Sequence, residues 1–80
     1  MKMNEDIKIA TIMIAVEAEL RRAVKLHGPM KSFHEGYAVI LEELDELWDE
    51  VKAKEPNSDN LHKEAIHVAA MASRFMVDLL

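Results

Sequence analysis

An acidic run in the middle of the chain carries the residue types best suited to chemistry. Six carboxylates fall within the nine positions from Glu42 to Glu50, and no basic residue interrupts them. In a helix these like charges stand four residues apart, and each such pair costs roughly 0.2–0.5 kcal/mol. Two things could offset the repulsion: solvent, with Lys52 and Lys54 just beyond the run, or a bound cation.

Glu43 and Glu46 are the two acids of this run placed to act together. They stand at i and i+3 of the expected helix, so their side chains project to the same side. A hard divalent cation such as Mg²⁺ prefers oxygen ligands and often binds a few carboxylates together with phosphate oxygens. Glu43 borders the apolar side of the helix and Glu46 points further away, so a second packing surface must cover them if both bind metal.

A polar strip along the last part of the chain offers that surface. Its residues follow one another at steps of three or four, which places them on one side of a helix. They are Asn60, Glu64, His67, Met71, Arg74 and Asp78. Glu64 beside Glu43 and Glu46 would bring together three carboxylates that repel strongly without a cation. The simpler interpretation is that Glu64 and Arg74 are surface residues and that His67 is a hydrogen-bonded, half-buried histidine.

Two amphipathic helices are expected to precede and carry the acidic run. Apolar residues at three- and four-residue steps predict a first helix from about Asp6 to Leu26, and Gly28-Pro29 ends it because glycine accepts a left-handed cap and proline cannot continue. A second helix is predicted from Phe33 to about Lys54. Its start is a capping box, in which Ser32 is the N-cap and Glu35 reaches back to the N-cap amide.

The second helix has one apolar stripe opposite its acids. The stripe consists of Phe33, Tyr37, Ile40, Leu41, Leu44, Leu47, Trp48 and Val51. Because Tyr37 and Trp48 lie on this stripe, core packing is favoured for them over stacking on a nucleotide base.

A third helix is predicted from Leu61 to Leu80, with Ser58, Asp59 or Asn60 as its cap. It is apolar over most of its circumference, and two neighbours within one chain cannot cover it fully, so its second face is predicted to meet another copy. A single core of this size supplies only roughly 3–5 kcal/mol, which also favours self-association. The expected fold is all-α, with a three-helix chain assembling into a helical-bundle dimer or tetramer.

Length, composition and charge exclude several classes of protein. The 80 residues fit a single domain spanning 1–80, and the lack of cysteine leaves carboxylates and four histidines as possible metal ligands. A net charge of -5 argues against a polymeric nucleic acid as partner. The apolar stretch from Ile12 to Val16 lies in an amphipathic segment, so neither a signal peptide nor a membrane partner is expected, and the predicted location is cytoplasmic.

The two acidic motifs together resemble a known pattern. Glu42-Glu43-x-x-Glu46 is followed, after a linker of turn residues, by Glu64-x-x-His67. This arrangement is similar to the paired motif EExxE…ExxD of the MazG-like, all-α nucleotide pyrophosphohydrolase superfamily. The segments from His34 to Trp48 and from Val68 to Ala72 also look like short phage- and bacterium-type members, so the resemblance covers residues 27 to 80.

The resemblance implies an enzyme that acts on nucleotides. Members of the superfamily form helical dimers or tetramers, bind Mg²⁺ through both motifs, and cleave nucleoside triphosphates to the monophosphate and pyrophosphate. By position, Glu43, Glu46, Glu64 and His67 would be metal ligands, and Glu42 and Glu46 would be the catalytic acids. The chemistry is coherent because metal ions neutralise phosphate charge and lower the pKa of an attacking water, while a spare carboxylate acts as base.

His67 departs from the family pattern, which has an acid at its position. A neutral imidazole supplies no charge and suits a transition metal better than Mg²⁺, so Mn²⁺ could be preferred, or activity altered or lost. For the substrate phosphates Arg74 is favoured, because it shares the polar strip with Glu64 and His67, and Lys63 is a second candidate. The rival hypothesis is a non-catalytic helical assembly module, favoured by His67 and by the expected lack of a further helix that closes the pocket in many relatives.

Overall fold

The chain folds into three α-helices, as a computed structural model shows. It describes the backbone of residues 2–80 and the side chains of residues 4–80. The helices are α1 (Lys2–Leu26), α2 (Phe33–Val51) and α3 (Ser58–Leu79), and the described residues form no strand. The predicted all-α class with three helices is confirmed.

The first helix ends at Leu26, as predicted, but begins at Lys2, earlier than the predicted Asp6. Nothing in its first residues breaks a helix, and Glu5 favours the positive pole of the helix dipole. The prediction that Gly28 forms a left-handed cap is wrong, because Gly28 has no positive φ. The chain leaves the helix because Pro29 has no amide hydrogen to donate.

The second helix begins at the predicted N-cap. Ser32 is extended, and its hydroxyl accepts a hydrogen bond from the Glu35 amide at 3.0 Å. The Glu35 carboxylate accepts from the Lys31 amide at 2.8 Å, one residue before the amide that the capping box predicts. The helix ends at Val51 instead of Lys54, because beyond it the Ala53 amide reaches only the Glu50 carbonyl, at 3.4 Å.

The third helix begins at Ser58, three residues before the predicted Leu61. Its N-cap is Asn57, so the predicted caps Ser58, Asp59 and Asn60 are wrong. The Asn57 side chain accepts a hydrogen bond from the Asn60 amide at 3.0 Å. Asn57 has the extended backbone that an N-cap requires, with φ -104° and ψ 121°.

The arrangement of the helices leaves a groove above α3. α3 packs against both other helices, whereas α1 and α2 do not pack on each other within the described residues. The molecule is therefore flat, with extents of 41 × 32 × 19 Å. Its core joins α1 and α3 and consists of Val16, Ala23, Ala70 and Met71. None of the described helices combines the length and hydropathy needed to cross a membrane.

At one end of the fold, α2 approaches α3 closely and buried polar contacts hold the loop between α1 and α2. Gly36 is buried on α2, and a Cβ there would lie 2.5 Å from the Phe75 ring and 2.9 Å from Leu79. The glycine therefore lets the two helices approach at this level. Nearby, Arg74 donates to the Gly28 carbonyl, and Asp78 accepts from the Met30 amide at 3.0 Å. These bonds fix the loop between α1 and α2 to α3.

The apolar stripe of α2 is wider than the surface that α3 covers. Ile40 and Leu47 are partly buried, but Tyr37 is 64% exposed and Trp48 is 57% exposed. The prediction that Tyr37 and Trp48 pack in the core is therefore wrong for the single chain. Leu41, between them, is also exposed. α2 thus buries one side and leaves a second apolar side uncovered.

Candidate metal centre

Two acids of α2 and two residues of α3 meet at one place in the fold. Glu43, Glu46, Glu64 and His67 each offer one ligand atom, and these atoms all lie within 4.8 Å of one another. The four residues predicted as metal ligands are thus brought together. The i, i+3 spacing in each helix aims both of its side chains at the neighbouring helix.

Burial differs among the four side chains. The side chains of Glu43, Glu64 and His67 are 21%, 14% and 22% exposed, while Glu46 is exposed to solvent. A packing surface therefore covers Glu43 but not Glu46, whereas the sequence analysis required both to be covered if both bind metal. The cluster is closed on its inner side and open at Glu46.

Two carboxylate oxygens in this cluster lack a partner. Glu43 Oε2 and Glu64 Oε2 are buried and accept no hydrogen bond. The His67 ring lies close to both oxygens, with its Nδ1 3.6 Å from Glu43 Oε2 and 3.7 Å from Glu64 Oε2. Those distances are too long for hydrogen bonds. A buried carboxylate oxygen without a donor is costly, so the donor set fits a cation that would bind both oxygens.

The electrostatics of Glu43 reflect the same excess of acid. The pKa of the Glu43 carboxyl is raised from 4.5 to about 7, chiefly by burial and then by the neighbouring carboxyls of Glu46 and Glu64, while His67 opposes the shift. Desolvation and like charge both disfavour the ionised form. The carboxyl therefore holds a proton that a divalent cation would displace.

The helix α1 contributes an acid that the sequence analysis did not single out. Glu19 Oε2 lies 3.9 Å from His67 Nε2, on the side of the ring away from Glu43 and Glu64. Arg22 donates to both Glu19 oxygens, at 3.0 and 2.7 Å, and lowers the pKa of the Glu19 carboxyl. A signal was available, because Glu19 stands between the core residues Val16 and Ala23 at helical spacing.

Glu42, one of the two predicted catalytic acids, is not one of the four clustered residues. It is exposed and lines a cleft of about 310 Å³ beside the cluster, together with Glu43. Glu19 and Arg22 line the opposite side of this cleft. Glu42 is thus near the cluster, with its carboxylate directed to solvent.

The two predicted phosphate-binding residues have different surroundings. Arg74 lines the same cleft, but it is 6% exposed, donates to the Gly28 carbonyl, and pairs with Asp78 at 3.2 Å. The Nε to Oδ2 contact is an ion pair without hydrogen-bond geometry. Those contacts favour a structural role for Arg74. Lys63 is exposed and lines a second cleft of about 440 Å³, next to His67.

Comparisons with protein-family models, with curated proteins and with solved structures found no match to this chain. The described residues bring together three carboxylates and an imidazole from two helices, beside two open clefts. Oxygen ligands with an open side are typical of a divalent cation that also binds a phosphate-bearing ligand.

Proposed function

We propose that this protein hydrolyses nucleoside triphosphates to the monophosphate and pyrophosphate, with Mg²⁺ or Mn²⁺ held by Glu43, Glu46, Glu64 and His67. The observation that carries the proposal is the buried pair of carboxylates without hydrogen-bond partners, which come from the two motifs. The reaction class comes from the resemblance of those motifs to the MazG-like pattern.

The proposed roles of the four acids follow from how deeply each side chain is buried. Glu43 and Glu64 are fixed by packing between α2 and α3, so they hold the cation at a defined place. Glu46 is exposed, and it joins the cluster from the solvent side. A cation held by these residues would supply neutralisation of the phosphate charge and would make an attacking water more acidic. Glu42 lies outside the cluster and takes the proton of the attacking water as general base.

The clefts on either side of the cluster supply the substrate side of the proposal. Their volumes of about 310 and 440 Å³ fall in the range of sites for small ligands. Lys63 and Arg22 stand at the wider cleft, where a cationic group favours phosphates. Lys63 is the better candidate of the two predicted phosphate ligands, because Arg74 already pairs with Asp78.

The uncovered side of α2 supports the assembly that the proposal includes. Tyr37, Leu44 and Trp48 are exposed large apolar side chains at helical spacing on one face. A contiguous apolar face of this kind is typical of a protein interface. We propose that the working form is a helical-bundle dimer or tetramer.

A second candidate function, the non-catalytic assembly module, is favoured by two observations. His67 stands where the family pattern has an acid, and the Arg74 guanidinium is occupied by Gly28 and Asp78. The metal site would then lack one negative charge and the phosphate site one positive charge. Neither loss would disturb the scaffold or its interface.

Pyrophosphate release decides between the two. We would assay ribo- and deoxyribonucleoside triphosphates with Mg²⁺ or Mn²⁺, comparing the native protein with Glu46→Gln. Asp45→Asn is the matched control, because Asp45 is an exposed acid of the same run outside the cluster. We expect release by the native protein and by Asp45→Asn, and loss in Glu46→Gln. No release with any nucleotide or metal would favour the assembly module.

A further inference from the structure

Arg22 of α1 is a cationic residue that lines both clefts beside the metal cluster. It shares the narrower cleft with Glu43 and the wider one with Lys63. Glu19 Oε2, which accepts a hydrogen bond from Arg22 Nη2 at 2.7 Å, also lies 3.9 Å from His67 Nε2. One carboxylate oxygen therefore stands between the guanidinium and the candidate metal centre.

The contact with Glu19 orients the guanidinium and leaves one of its edges free. Arg22 donates through Nε and Nη2 to the two Glu19 oxygens, at 3.0 and 2.7 Å. A guanidinium has five N–H donors in a planar fork, so this pair leaves Nη1 and one N–H of Nη2 for a second acceptor. Among residues 4–80 these remaining donors form no hydrogen bond, and the side chain is 55% exposed. The free edge is therefore open to a ligand from solvent.

The other two arginines of the chain do not combine an open edge with a place at the cluster. Arg74 is 6% exposed and lies beside Asp78 at 3.2 Å, so its guanidinium is enclosed by the fold. Arg21 is exposed and pairs with Glu17 at 2.8 Å, but it lines a cleft that contains none of the four clustered residues. Arg22 is thus the arginine whose position suits a ligand of the metal centre.

We infer that Arg22 is a phosphate-binding residue, whose free edge binds a phosphate group of a nucleotide at the metal centre. This inference rests on the proposed function and adds a substrate ligand from α1, outside the two acidic motifs. Carboxylate and phosphate both fit the planar fork of arginine, so one guanidinium can bind Glu19 at one edge and a phosphate at the other. The positive charge that Arg74 uses to hold a loop is then supplied at the site by Arg22.

The test is calorimetric titration of the full chain with inorganic pyrophosphate in saturating Mn²⁺. Pyrophosphate is a product of the proposed reaction, so binding is measured without turnover. Arg22→Ala is expected to weaken pyrophosphate binding by about 10–100-fold, because hydrogen bonds between charged groups are lost. Arg22→Lys should fall between the native protein and alanine, since an ammonium keeps the charge without the fork. Arg21→Ala is the matched control, because Arg21 forms the same kind of pair on the same helix away from the cluster, and it should bind pyrophosphate as the native protein does.

Titration with Mn²⁺ alone separates the phosphate ligand from the cation site. Arg22→Ala should bind Mn²⁺ no more weakly than the native protein, because Arg22 is not one of the clustered residues. A loss of Mn²⁺ affinity that matches the loss of pyrophosphate affinity would overturn the inference, and so would equal pyrophosphate binding by the native protein and Arg22→Ala. A native protein that binds Mn²⁺ but no pyrophosphate would overturn it too, while leaving the cation site of the proposed function in place. A native protein that binds no Mn²⁺ would remove both.

Discussion

The polar strip of α3 has two buried ends, and they differ in how their charged side chains are paired. At the end near Asp78, the acid lies beside Arg74 at 3.2 Å and accepts the Met30 amide at 3.0 Å, while Arg74 donates to the Gly28 carbonyl. Positive and negative charge come from the same helix and cancel. The polar groups there are used to hold a loop, and no outside ligand is needed.

At the other end, Glu64 meets the acids of α2, and the basic group beside them is the His67 imidazole. Among the described residues, no lysine or arginine pairs with Glu43 or Glu64, and one oxygen of each is buried without a hydrogen-bond donor. At the first end the charges balance within the chain, whereas at the second the raised pKa of Glu43 means that a proton relieves part of the excess negative charge, and a bound cation would replace that proton. The difference separates a structural end of the strip from an end suited to binding.

Removing Arg74 should produce the largest effect. Arg74→Leu leaves Asp78 as an unpaired buried charge, which costs about 3–5 kcal/mol. That loss is comparable to the whole stability of a single core this small, roughly 3–5 kcal/mol, so the variant should be largely unfolded at 25 °C. Circular dichroism during urea unfolding measures it.

Arg21→Ala provides the control for this experiment. Arg21 is exposed and forms only a surface pair with Glu17, so its loss should change the unfolding free energy by less than about 0.5 kcal/mol. If Arg74→Leu stayed as stable as this control and instead raised KM for nucleotide, Arg74 would be the substrate ligand that the sequence predicted.

The sequence predicted the parts of this fold that local patterns determine. The Ser32 cap follows from a four-residue motif, and i, i+3 spacing places Glu43 with Glu46 and Glu64 with His67. Both depend on positions close in the chain. That the two pairs meet was an expectation taken from the resemblance to the paired MazG-like motif. The periodicity of each helix was enough to predict which side chains share a face.

What the sequence did not predict depends on how distant segments meet. Arg74 binds the Gly28 carbonyl, and nothing near Arg74 in the chain indicates that partner. Glu19 was missed because the spacing of α1 shows a face but not that His67 lies opposite it. The exposure of Trp48 was missed because an apolar stripe does not reveal how much of it one neighbouring helix covers.

Adding metal should stabilise the protein through the end of the strip near Glu64. The change in unfolding free energy should be smaller than that caused by the loss of Arg74. A divalent cation at 100 times its dissociation constant stabilises the folded protein by about 2.7 kcal/mol if it binds the folded state alone. We expect that gain with Mn²⁺ in the native protein and in Asp49→Asn, an exposed acid outside the cluster. Glu43→Gln should lack it. An equal rise in melting temperature for all three would place the cation elsewhere.

The smallest effect should appear when pH is changed without metal. The pKa of Glu43 is about 7 in the folded protein and 4.5 without its surroundings, so the folded state keeps a proton that the unfolded state releases earlier. Stability then falls as pH rises between these two values, because ionising Glu43 next to Glu46 and Glu64 is unfavourable. The change is limited because the side chain remains 21% exposed, and solvent screens part of the repulsion.

The measurement compares native protein with Glu43→Gln in chelator, by urea unfolding at about pH 5 and pH 8. The two proteins differ only at residue 43, so the difference between their unfolding free energies isolates Glu43. That difference should shift in favour of Glu43→Gln as pH rises. With saturating Mn²⁺ the trend should reverse, because the cation binds the ionised carboxylate. A difference that does not change with pH would mean that Glu43 is as well solvated as an ordinary surface acid, and the binding end would then carry no excess of buried charge.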